Sequence, residues 1–120
     1  MAYDEGLAQR IRELVQHKPN IVEKKMFGGI AFMAYDYMFS RVVKNDLMAR
    51  VGPINYAAAL AKPHVVPMDF TGKPMVGYVF VQPLGLTEDE QLQRWIDICF
   101  AFVLLLPVKL LKILSNSAST

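Results

Sequence analysis

The chain is 120 residues long, the size of one ordinary domain. Hydrophobic residues make up 53% and charged residues 20%, enough apolar material for one real core, which argues against a disordered chain. The 13 basic and 11 acidic residues leave a net charge of +2, a balance that neither demands a nucleic-acid partner nor excludes one.

Asp4 is placed to cap a first helix, in which Leu7, Ile11, Leu14 and Val15 recur at helical spacing. Lys18-Pro19-Asn20 closes it. From residue 23 to 51 the pattern changes to strands. Residues 26–34 read as one strand, and the pair Gly28-Gly29 inside it marks a bulge or a close backbone approach. Ala34-Tyr35-Asp36 reads as a turn, 37–43 as a second strand, Lys44-Asn45-Asp46 as a tight turn and 47–51 as a third strand. Connections this short imply an antiparallel meander.

Pro53 suits the first position of a second helix, because its missing N–H would be unpaired there anyway. Ala57, Ala58, Ala59 and Ala61 suggest that this helix packs closely on a sheet, and Pro63 stops it. Residues 65–70 and 76–82 read as two further strands joined by a turn at Thr71-Gly72-Lys73-Pro74. Residues 78–81 are apolar on both faces, the mark of an interior strand. Thr87 and Glu90 fit a capping box. Leu92, Trp95, Ile96, Cys99, Phe100 and Val103 follow on one stripe of a last helix that ends near Pro107. The expected fold class is α+β with two layers, an antiparallel sheet with helices on one face in the order α-β-β-β-α-β-β-α.

Residues able to carry chemistry are sparse. His17 and His64 have no second histidine or carboxylate at ligand spacing, so no metal site is expected. Cys99 sits among Ile98, Phe100 and Ala101 and reads as a small buried hydrophobe. Glu88, Asp89 and Glu90 suit a helix N-terminus better than a catalytic pair, which needs separation across a cleft. No serine, cysteine or lysine has an activating neighbour. The expectation is therefore a chain that is no enzyme and needs no cofactor. One constellation could hold an anion: Lys24 and Lys25 beside Gly28 and Gly29.

Four stretches in order carry a family resemblance: MAYD at 1–4, EKKMFGGIAFM at 23–33, DLMARVGP at 46–53 and PMDFTGKPMVGYV at 67–79. Together they resemble the N-terminal domain of the TfoX/Sxy competence regulators over about residues 3–107. The resemblance implies a two-layer α+β fold of the secretion-chaperone-like kind. It also implies a regulatory rather than enzymatic role, exercised in founding members with a cyclic-AMP-responsive transcription activator. The function expected is a non-catalytic regulatory or protein-interaction domain; the alternative is a small-ligand or anion-binding domain. A protein partner is expected, a homodimer is open, and nucleic-acid binding by this chain alone should be weak or absent.

Residues 1–107 form the expected domain and 108–120 a separate tail. Val108, Leu110, Leu111, Ile113 and Leu114 are apolar around Lys109 and Lys112, so 108–114 should pack on its own domain, extend the last helix past Pro107 or dock on a partner. Residues 115–120 are polar and expected to be disordered. The longest apolar run, 98–108, is too short to span a membrane, and no signal peptide is visible, so the cytoplasm is the expected location.

Overall fold

The computed structural model describes residues 3–26, 28–69, 72 and 74–107. The elements in chain order are α1 (Glu5–Val15), β1 (Ile21–Met26), β2 (Gly29–Ala34), β3 (Tyr37–Val43), β4 (Asp46–Arg50), α2 (Tyr56–Leu60), β5 (Val65–Asp69), β6 (Pro74–Val81) and α3 (Asp89–Leu105), with a single 3-10 turn at Pro83–Gly85 before α3. The six strands form one sheet in the order β1-β2-β3-β4-β6-β5, and each neighbouring pair is antiparallel. The fold is α+β, as expected, with one strand more than the sequence reading.

Side chains alternate across each strand, so the register sorts them into rows on two faces. One row runs Lys25–Ile30–Val42–Leu47–Val81–Val65 from edge to edge, and the next runs Lys24–Ala31–Arg41–Met48–Phe80–Val66 on the opposite face. The first row feeds the core. Ile30, Val42, Leu47 and Val81 are buried in one cluster with Leu7, Ile11 and Val15 of α1, Ala59 of α2, and Trp95, Ile96, Cys99 and Phe100 of α3. The helices thus cover one face of the sheet. Asp4 Oδ1 accepts the Leu7 N–H at 3.1 Å, so α1 begins where the sequence placed its cap.

Four local expectations are corrected. Residues 26–34 are not one strand: Gly28, at φ 75°, lies between β1 and β2. The bulge sits elsewhere, at Phe32/Met33, where Phe32 pairs with Ser40 and Met33 with Met38. Phe39 is the extra residue, and it turns into the core, where its ring meets Phe100 edge-on at 5.7 Å and Phe32 at 6.4 Å. The same twist buries the Ser40 hydroxyl without a partner among the described residues.

The second helix starts at Tyr56 rather than Pro53, with Asn55 at its cap position, and of its alanines only Ala59 is buried. The capping box of α3 lies one residue later than expected, at Glu88 and Gln91; Gln91 Oε1 accepts the Glu88 N–H at 2.9 Å. Trp95 and Ile11 meet in the common core, with Leu14 at its margin.

Candidate functional site

The structure does not bring the basic-glycine quartet into one site. Lys24 and Lys25 are neighbours on an edge strand and project to opposite faces of the sheet. Gly28 is an exposed turn residue. Gly29 answers to packing, since a Cβ there would stand 2.5 Å from the Val42 carbonyl oxygen and 3.2 Å from Arg41 Nε. It is the close backbone approach that the glycine pair suggested, made by β3 rather than by a ligand.

Two concave regions lie instead on either side of Asp97 and Ile98, along α3. The first is a groove of about 440 Å³. One wall is the connection from β4 to α2, with Val51, Gly52, Pro53, Ile54 and Asn55; the other is a stripe of α3, with Asp97, Ile98, Ala101, Phe102 and Leu105. Spacings of one, three and four residues put that stripe on one side of the helix. The core stripe, Trp95, Ile96, Cys99, Phe100 and Val103, occupies another side.

The second half of α3 therefore has apolar residues both toward and away from the sheet. A helix with that pattern is ordinarily buried all round. This one is not: Leu105 is 80% exposed, Leu104 55%, and Ile54 across the groove 92%.

Backbone geometry holds the groove in place. The N–H groups of Val51 and Gly52 both donate to the Gly77 carbonyl, at 2.9 and 3.1 Å. Gly52, at φ 87°, lies against the Phe102 ring; a Cβ there would meet it at 2.4 Å. Asn55 Nδ2 donates to the Val51 carbonyl at 3.3 Å and so closes the bend. Arg50 lies 5.4 Å from the Phe102 ring centre, 5.5 Å from Tyr78 and 5.8 Å from Tyr37, a cation among three aromatic rings that ties β3, β4 and β6 to α3.

The second region is a cavity of about 400 Å³ near the start of α3. Lys62, His64 and Arg94 line it beside Trp95 and Asp97. His64 is exposed there, in left-handed backbone at φ 66°. His17 is exposed in the turn after α1.

Cys99 is fully buried, and burial pushes its thiol up to about 12, with the backbone of Arg50 pulling weakly the other way. A thiol in that state is not a nucleophile at neutral pH. Among the described residues no group of three or more His, Cys, Asp or Glu is placed to hold a metal ion. None of the described helices is long and apolar enough to cross a membrane.

Sequence reasoning missed the groove, whose walls lie more than 40 positions apart in the chain. The available signal was the second half of α3, ICFAFVLL at 98–105, which is apolar whichever way it is turned. No curated protein and no solved structure matches the chain. The family model for the TfoX N-terminal domain matches residues 13–103, a span that takes in all six strands and nearly all of both groove walls, and the chain belongs to that family.

Proposed function

We propose that this chain is a non-catalytic regulatory domain that binds a protein partner through the groove beside the second half of α3. The observation behind this reading is the exposure of Ile54 and Leu105 on the two walls of an apolar groove whose shape is held by glycine contacts and an arginine–aromatic cluster. Contiguous exposed apolar surface is a liability in a lone soluble molecule and a common mark of an interaction site. A rigid groove also lowers the ordering cost of binding. Membership of the TfoX N-terminal domain family points to a partner in transcription control, and the cyclic-AMP-responsive activator of the founding members is the first to test.

The test is crosslinking in the native cell, with mass spectrometry of the partner-linked peptides. Crosslinks should cluster on residues 51–55 and 97–105, and the double variant Ile54→Glu, Leu105→Glu should lose them with an unchanged melting temperature. A partner whose links map elsewhere, or that binds the double variant as well as the parent, defeats the reading.

One observation favours a second reading. The cavity lined by Lys62, His64 and Arg94 has the volume of a small-ligand site and an excess of positive charge, which suits a small anion with an aromatic or apolar body. This is the small-ligand alternative moved from the β1–β2 hairpin to the start of α3. Titration with aromatic carboxylates and phosphates, followed through Trp95 fluorescence, separates the two; no saturable change at millimolar ligand removes it.

A further inference from the structure

We infer that the chain's own segment 108–114 occupies the groove beside the second half of α3, so that a partner must displace it to bind. The inference rests on the reading of the groove as a docking surface and names what regulates it. Residues 108–114 lie outside the described residues; the place where the described chain ends, the length of the segment and its charge point to the groove.

Leu105 forms part of the groove wall, and Leu106 leaves the helix with extended backbone at φ −74°, ψ 150°. The Tyr37 hydroxyl donates to the Pro107 carbonyl and so fixes the exit point. Residue 108 therefore starts within about 10 Å of Leu105, at the 3.3–3.6 Å that each extended residue spans. The α3 wall from Asp97 to Leu105 is about 12 Å long at the helical rise of 1.5 Å. Segment 108–114 spans about 10 Å as helix and about 24 Å extended, so it covers the wall in either form.

The chemistry also matches. The segment alternates Val108, Leu110, Leu111, Ile113 and Leu114 with Lys109 and Lys112. The groove is apolar apart from Asn55 and Asp97, and no basic residue lines it. Asp97 is exposed at the end far from Leu105, where it accepts a hydrogen bond from Gln93 at 2.7 Å, and among the described lining residues it is the carboxylate that a lysine of the segment could meet. A tethered segment also acts at an effective concentration in the millimolar range, far above that of a second copy in dilute solution.

The test is disulfide trapping in the full chain with the pair Ile54→Cys, Leu111→Cys. Ile54 is 92% exposed, so its replacement should leave the fold intact, and the buried Cys99 stays out of the reaction. The control pair is Val22→Cys, Leu111→Cys, with Val22 52% exposed on the first strand and not among the residues lining the groove. At low micromolar protein under mild oxidation, the Ile54 pair should form an intramolecular disulfide at least tenfold faster than the control. Adding Leu105→Glu to the Ile54 pair should bring its rate down to the control rate.

Equal rates for the two pairs overturn the inference, and so does a rate that Leu105→Glu leaves unchanged. Disulfide-linked dimers as the main product also overturn it, by placing a second copy in the groove. The trapping rate reports only where the segment sits. A trapped segment together with partner crosslinks mapping elsewhere would sink the proposed function and leave this inference standing; the reverse pair of results would do the opposite.

Discussion

The two halves of α3 are stabilised in different ways. At its start, Glu88 and Gln91 form a capping box, and the Arg10 guanidinium of α1 reaches both Asp89, at 3.1 Å, and the Leu86 carbonyl, at 2.8 Å. At its end there is no basic residue in the last turn, and among the described residues the cap contact is the Leu106 N–H to the Val103 carbonyl at 3.0 Å. The first half adds these polar contacts, some local and some reaching back to α1, to the core packing of Leu92, Trp95 and Ile96; the second half rests on packing against residues far away in the chain, with Leu104 and Leu105 left in solvent. A helix built for stability alone would also carry cations and polar residues in its last turn.

Removing the anchor of the first half should have the largest effect. Trp95 is 5% exposed and packs in the common core. Trp95→Ala should cost about 3–5 kcal/mol in urea melts, the usual range for a large core aromatic. A loss under about 1 kcal/mol would mean that the first half depends on its polar contacts instead.

Gly52→Ala attacks the second half through the groove wall. The new Cβ would enter the Phe102 ring at 2.4 Å in backbone at φ 87°. Overpacking and left-handed strain together should cost about 2–4 kcal/mol. The damage should be local first, with faster amide exchange at residues 98–105 than in β3. A variant as stable as the parent would show that Phe102 swings aside freely and that the groove is not held rigid.

How much of this was legible follows from the same contrast. The start of α3 was readable because caps are local: Thr87, Glu88, Glu90 and Gln91 all suit the box, and the error was a choice between neighbouring candidates. The interior strands were readable from apolar patterning. β1 was not separated from β2 because it is an edge strand whose Val22, Glu23, Lys24 and Lys25 are all exposed, so no buried face imposed alternation. The bulge at Phe39 carries no glycine and left no mark, while Gly28-Gly29 carried the mark and lies at a turn. Lys24 and Lys25 do not converge because adjacent strand residues face opposite ways. The groove exists only once residues 51–55 meet residues 97–105, and Ile54 between Pro53 and Asn55 looks like part of an ordinary turn until its exposure is known.

A smaller effect isolates the cap. Gln91→Ala removes the acceptor of the Glu88 N–H and should cost about 1 kcal/mol, within the 0.5–2 kcal/mol range of cap losses. The loss should appear as fraying of residues 89–92 with the groove unchanged. If exchange at 98–105 rises equally, the two halves unfold as one unit and the contrast between them is only one of composition.

The smallest effect, nil at neutral pH, comes from Cys99, which lies where the two halves meet. Its buried thiol is pushed up to about 12 from an ordinary 9.0. Above about pH 9 the unfolded chain releases this proton while the folded chain keeps it. The unfolded state then binds fewer protons, so stability falls as pH rises. The Cys99 contribution should be flat below about pH 9 and decline from there toward pH 12. Cys99→Ala should flatten that decline by comparison with the parent. At pH 8, labelling of the thiol by a disulfide reagent should proceed only at the rate of global unfolding, since opening of the whole core is needed to reach it. Labelling much faster than unfolding would show that the second half of α3 lifts off the sheet as a separate unit, and the groove would then be a moving surface rather than a fixed one.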